Sequence, residues 1–198
     1  MSLQDIQVVA MTGSGDCSAR DRTCAVYYNE LGDLGGGYRM RPSGPVWEYT
    51  RFRGIVSASS EGDVAGELAA DRGRRCTGVF DGSERRRWDT CEHVLGDFSP
   101  DARFVVGLRP GADDAATKGI SILDARTGAV VADFTAGRGA AVQVDDLVWE
   151  SSTALLATVR TDGGWSLLRL TPDGGITKVA DLGAGTGDRA PVSFALPS

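Results

Sequence analysis

The stretch GDFSPDARFVVG (residues 96–107) reads as a turn followed by a strand. Ser99, Pro100 and Asp101 are turn chemistry: proline presets φ, and short oxygen-bearing side chains bond nearby backbone amides. The run RFVVG (103–107) is short, apolar and stopped by glycine, as buried strands are. The same order of parts recurs along the chain, and the recurrence decides the fold.

Downstream of this stretch come KGISILDARTG and AVVADFTAG. The last quarter repeats the sequence of parts with DDLVWESST, ALLATVRTDG, GWSLLRLTPDGG and ITKVADLG. Phe98 in one unit holds the place of Trp149 in the next. Upstream, RGIVSASSEG, DVAGELAAD, RCTGVFDGS and RRWDTCEH form a looser unit, with Asp81 in the slot of Asp124 before the turn. The segment EGDVAGELAADRG is the one helical temptation, weakened by Gly62 and Gly66. The first quarter offers IQVVAMTGSGD, CAVYYNELG and GGYRMRP, one strand short of the pattern, while APVSFALPS ends the chain as a lone strand.

Four-stranded units of roughly 40–50 residues are the mark of β-propeller blades. The expectation is an all-β fold, a propeller or partial propeller of about four blades of four antiparallel strands. It forms one domain over 4–198, with blades near 4–44, 45–93, 94–141 and 142–190. A closing strand over 190–197 would complete the first blade and remove exposed sheet edges. A closed four-bladed ring and an incomplete propeller, completed by a partner copy or by further residues, both stand open. Propeller sheets are covered on both faces, which suits runs such as ALLAT and SLLRL.

FSPDARFVVG, ISILDARTGAVVADF and LVWESSTALLATVRTDGGWSLLRL together resemble WD40-like or TolB-like propeller proteins of actinobacteria. Members carry an FSPDG turn and a DxxTG turn in each blade. The resemblance covers residues 76–198 best and departs from the pattern at Ala102, where glycine is usual. A left-handed conformation costs alanine energy, so a different turn type is expected there. The resemblance implies a propeller, often exported or membrane-anchored and mostly uncharacterised, with no implied enzyme activity. Arginine-rich, lysine-poor usage agrees with a high-GC source.

The chain has 198 residues and a net charge of −6. That length buries a substantial core. An acidic chain does not suit a phosphate backbone, so nucleic-acid binding is disfavoured. Arg85, Arg86 and Arg87 read as the solvated edge of a hairpin. No stretch approaches the roughly 20 apolar residues of a membrane span. Met1-Ser2-Leu3 reads as an added leader, and a signal or membrane anchor is expected ahead of Gln4. The expected location is therefore extracytoplasmic.

The four cysteines support that compartment. Cys17 and Cys24 bracket a polar loop. Cys76 and Cys91 bracket two strands and a turn, and folding about the turn places them opposite each other, within disulfide range. The alternative is four reduced, buried thiols. No Cys-x2-Cys pair supports zinc. His93 is the sole histidine, and with no nucleophile elbow it reads as structural. Asp113-Asp114 and Asp145-Asp146 lack calcium-loop spacing and read as solvated turns. GSG (13–15) and GAGTG (183–187) lack the features of phosphate loops. Trp149 and Trp165 read as blade packing, whereas Trp47, Tyr49 and Phe52 form the candidate binding surface. No catalytic residue, metal or cofactor is called for. The leading reading is a non-enzymatic scaffold that binds a protein or small molecule through loops at one end of the channel. The alternative is a hydrolase or lyase with converging carboxylates in that channel.

Overall fold

The computed structural model describes residues 6–12, 24–30, 36–68, 75–111, 117–135, 142–161, 164–184 and 189–194. Its described residues form four sheets, each of four antiparallel strands in sequence order. The first holds β1 (Ile6–Thr12), β2 (Ala25–Glu30), β3 (Gly36–Met40) and β4 (Trp47–Tyr49). The second holds β5 (Phe52–Ala58), β6 (Val64–Leu68), β7 (Thr77–Phe80) and β8 (Arg86–Thr90). The third holds β9 (Val94–Phe98), β10 (Phe104–Pro110), β11 (Thr117–Asp124) and β12 (Val130–Thr135). The fourth holds β13 (Gln143–Ser151), β14 (Ala154–Thr161), β15 (Gly164–Leu170) and β16 (Ile176–Gly183). The sheets touch in series, and their first strands β1, β5, β9 and β13 gather side by side.

Apolar residues on both faces of the strands create this stack. In β10, Phe104, Val105 and Val106 are consecutive and all buried. Phe104 and Val106 pack toward Leu155, Ala157 and Leu170 of the fourth sheet. Val105 packs the other way, toward Ala65 and Val79 of the second. A third core joins Tyr27 and Tyr49 of the first sheet to Phe52, Ile55, Val64 and Phe80 of the second. Gly66 lies in that contact because a Cβ there would stand 2.2 Å from the Phe52 ring.

Tryptophan indoles cross every boundary. Trp47 donates to Glu84 Oε1 (2.6 Å) between the first and second sheets. Trp88 donates to the Ala125 carbonyl (2.8 Å) between the second and third. Trp149 donates to the Asp97 carbonyl (3.0 Å) between the third and fourth. Trp165 is fully buried under the Arg160 guanidinium, 5.9 Å from its ring, and its N–H meets no acceptor.

The structure departs from expectation in three places. The first sheet draws its fourth strand from Trp47–Tyr49, so its boundary falls after Tyr49 rather than at residue 44. Residues 190–194 form no strand. Instead the Ala190 amide donates to Asp145 Oδ2 (2.9 Å) and the Phe194 amide to Asp146 Oδ2 (3.0 Å), along β13. The rest of the expected closing strand lies outside the described residues. Ala102 keeps the left-handed turn, with φ 58°, because Ser99 ties the loop closed. The Ala102 N–H donates to the Ser99 carbonyl (2.8 Å), and Ser99 Oγ accepts from the Phe104 amide (3.0 Å).

The remaining expectations fall as follows. The helical temptation is strand β6. Cys76 and Cys91 are disulfide-bonded, with Cα atoms 4.1 Å apart. Cys24 is also disulfide-bonded, and Cys17 lies outside the described residues. On the β7–β8 hairpin Arg85 pairs with Asp81 (2.9 Å) and Arg86 with Asp89 (3.1 Å), while Arg87 reaches Asp63, just ahead of β6 (2.9 Å). No helix among the described residues is long and apolar enough to cross a membrane.

Candidate functional site

Strands β1, β5 and β9 end together, and a cleft of about 190 Å³ opens where they do. Thr12 ends β1, Ala58 ends β5 and Phe98 ends β9, and the turns that follow add Ser59, Ser60, Ser99 and Pro100. Two of these hydroxyls shape the turns. Ser59 Oγ accepts from the Asp63 amide (3.0 Å). Ser99 Oγ donates to Asp101 Oδ1 (2.7 Å). Ser60 Oγ donates to the Pro100 carbonyl (3.2 Å), which ties the second sheet's turn to the third's. The cleft is therefore a hydroxyl-rimmed pocket with Phe98 and Met11 as its apolar walls. Its serines are occupied in turns, and His93 sits at the opposite end of β9, so no nucleophile–base pair forms.

His93 instead belongs to a buried chain of hydrogen bonds. Ser121 Oγ donates to Asp133 Oδ1 (2.8 Å), and Asp133 Oδ2 pairs with Arg109 (3.0 Å). With its proton given to Asp133, Ser121 accepts from His93 Nε2 at 3.1 Å. Burial, followed by the Arg109 charge, holds the His93 pKa below its ordinary value. The order is His–Ser–Asp, with serine in the middle. Catalysis needs histidine in the middle, between the nucleophile and the acid. The arrangement braces β9, β11 and β12, as the structural reading of His93 expects.

The neighbouring strands β9 and β13 carry Asp97 and the pair Asp145 and Asp146. Asp97 is exposed to solvent, and its carbonyl accepts from the Trp149 indole. Desolvation, then the Asp146 charge, pushes its carboxyl above the usual range. Asp146 is engaged by the Leu147 amide (2.9 Å) and the Phe194 amide. The sequence placed Asp145-Asp146 in a solvated turn. The structure places the pair inside β13, where it anchors residues 189–194, and Asp113-Asp114 lie outside the described residues. Among the described residues, no group of three or more metal-ligating side chains converges.

The aromatic surface expected from Trp47, Tyr49 and Phe52 does not assemble. Tyr49 and Phe52 are 1% and 6% exposed. They face each other across the first sheet boundary, ring centroids 5.6 Å apart. Burial pushes the Tyr49 hydroxyl up to about 12. Trp47 alone reaches the surface, under Arg39 (5.7 Å) and bonded to Glu84. The reason is positional: these residues straddle a blade boundary, where aromatic groups fill the gap between twisted sheets.

Four serial sheets with gathered first strands and a cleft at one end of those strands define a β-propeller fold. Solved structures agree. The match to an acylaminoacyl peptidase in complex with Z-Gly-Gly-Phe-chloromethyl ketone has a TM-score of 0.58 and 10% identity, covering 90% of this chain and 33% of that one. The β-propeller domain of the Trilobed protease from Pyrococcus furiosus, described as having an open velcro topology, matches with a TM-score of 0.57 and 11% identity, covering 89% of this chain and 58% of that one. A prolyl endopeptidase, from work on two such enzymes, matches with a TM-score of 0.59 and 14% identity, covering 96% of this chain and 30% of that one. The chain thus spans about a third of the two peptidases and under three fifths of the propeller domain. At this identity the likeness shows the fold. No protein-family model and no curated protein matches the sequence.

Proposed function

We propose that this chain is a non-catalytic propeller scaffold of an exported or membrane-anchored protein, and that it binds a short extended peptide at the cleft where β1, β5 and β9 end. The observation that carries this reading is the cleft itself. Three sheets converge on it, its rim is hydroxyl and carbonyl, and its wall is Phe98 and Met11. Such a rim suits main-chain amides and carbonyls, and such a wall suits one apolar side chain. The likeness of the fold to propellers of peptidases supports a peptide over other ligands. The resemblance of residues 76–198 to TolB-like propellers supports an extracytoplasmic setting, as does the Cys76–Cys91 disulfide.

The test is a titration of the isotope-labelled chain with a mixture of capped tripeptides, followed by amide NMR. Shifts confined to Thr12, Ser60, Ser99 and their neighbours are expected. Shifts elsewhere, or none at millimolar peptide, would refute the site. Thiol titration in denaturant without reductant checks the compartment chemistry. No reactive thiol is expected, and four would overturn the oxidised reading.

A further inference from the structure

A buried cation lies where the first sheet meets the second. Strand register puts Arg39 of β3 between Tyr27 of β2 and Trp47 of β4. Tyr27 and Tyr49 belong to the core that joins the two sheets, and Arg39 is itself only 9% exposed. Its guanidinium stands 5.7 Å from the Trp47 ring and 5.8 Å from the Tyr49 ring. Nη1 donates to the Gly82 carbonyl (3.1 Å) in the β7–β8 turn. Among the described residues Arg39 makes no other hydrogen bond, and no carboxylate comes within ion-pair distance of it. A guanidinium carries five N–H donors, and a buried charge is ordinarily paired because taking an ion out of water is costly.

The acids of the adjoining turns are committed elsewhere. Glu84 gives one oxygen to the Trp47 indole (2.6 Å) and the other to Thr50 Oγ1 (3.4 Å). Asp81 is taken by Ser83 and Arg85, and Asp63 by Arg87. Tyr49 adds a second unmet group. It is fully buried, and among the described residues its hydroxyl has no hydrogen-bond partner. Burial raises the Tyr49 pKa, and the Arg39 charge is the strongest influence opposing it, so cation and hydroxyl share one neighbourhood. Tyr27 and Glu84 raise it further, and Arg41 lowers it. Donors of two kinds therefore converge, a guanidinium fork and a phenolic O–H, with no acceptor of the described chain serving both.

We propose that this place binds a single oxyanion, a carboxylate or a phosphate, which pairs with the Arg39 fork and accepts from the Tyr49 hydroxyl. A planar fork takes two oxygens at once, the geometry of carboxylate and phosphate recognition. The two flanking rings hold the guanidinium in place through their faces. Trp47, 45% exposed, connects the place to solvent. The site shares no residue with the cleft where β1, β5 and β9 end, and it stands whether or not a peptide binds there.

Titration of the isotope-labelled chain with sodium formate and, separately, with sodium phosphate tests it, at an ionic strength held constant with sodium chloride. A saturable shift of the Trp47 indole N–H and a rising thermal midpoint are expected with at least one of the two. A response to formate alone marks a carboxylate ligand, and a response to phosphate alone marks a phosphate ligand. No saturable shift with either overturns the proposal, as does an equal shift in folded Arg39→Gln. Tyr49→Phe keeps the ring and removes only the hydroxyl. It is expected to weaken oxyanion binding about tenfold, the worth of one hydrogen bond to a charged group. Without the oxyanion its midpoint should equal or exceed the parent's, because a buried hydroxyl lacking a partner is removed. Unchanged affinity in Tyr49→Phe, or a midpoint lowered equally with and without oxyanion, gives Tyr49 a packing role alone and overturns the site.

Discussion

Ala102 holds a left-handed conformation at the tip of the Ser99–Phe104 turn, with φ 58°. An L-residue there costs about 1–2 kcal/mol, while glycine costs about 0.5–1 kcal/mol in lost chain freedom. Ala102→Gly is therefore expected to stabilise the chain by about 0.5–1 kcal/mol, measured as a raised urea midpoint. An unchanged or lowered midpoint would show that the surrounding hydrogen bonds already absorb the strain. His93 is the second residue with a defined consequence. Burial and Arg109 lower its pKa in the folded state, with Glu92 and Asp133 acting the other way. The unfolded chain therefore binds the imidazole proton at a higher pH than the folded chain does. Stability present above about pH 6.5 falls as pH drops through that value toward the folded pKa. Unfolding midpoints between pH 7.5 and 5 are expected to decline in the parent. In His93→Gln that portion of the slope should vanish, whatever stability the substitution itself removes. An equal slope in both proteins would assign the acid sensitivity to other groups.

The β7–β8 hairpin shows what an element can gain from covalent and local bonds together. Asp81 lies at its turn. Burial works against the Asp81 carboxylate, but the Ser83 hydroxyl, the Arg85 and Ser83 amides and the Arg85 side chain outweigh it and hold its pKa far below the usual range. Asp124 does the same work at the β11–β12 turn, led by the Thr127 hydroxyl. The disulfide closes the hairpin's open end across a separation of 15 residues. For a loop of that size the cross-link contributes about 3 kcal/mol. Cys76→Ala with Cys91→Ala is expected to lower the unfolding free energy by roughly that amount. The readout is the urea midpoint, and a loss near zero would mean that the hairpin is already ordered in the unfolded chain. Both features were legible in the sequence. Asp81 and Asp124 precede turn residues at matching places, and Cys76 faces Cys91 once the turn at residues 81–85 is drawn. Other elements were hidden for physical reasons. Strand β4 has three residues and follows Pro45, so neither length nor periodicity announces it. Strand β6 carries Gly66 because Phe52 occupies the space of its side chain, a long-range demand that no local pattern encodes. The same boundary packing turned Tyr49 and Phe52 from surface candidates into core. Asp145 and Asp146 read as a turn because two adjacent acids rarely continue a strand, and their partners lie more than forty residues away in sequence.

At the scale of the whole molecule, serial contact is the dominant fact. Each sheet packs on its neighbours in sequence, through cores shared between the first and second, second and third, and third and fourth sheets. Stability in such a stack is a sum of unit terms and nearest-neighbour interfaces. The second and third sheets each have two interfaces, while the first has one and an open apolar face. Opening free energies should therefore fall from the middle toward the first sheet. Amide hydrogen exchange is expected to protect β6, β7, β10 and β11 most and β1 to β3 least. The fourth sheet should lie between them, because residues 189–194 bond along β13 through Asp145 and Asp146. Uniform protection across all four sheets would refute serial stacking, since it would require one cooperative unit rather than neighbours joined in a row.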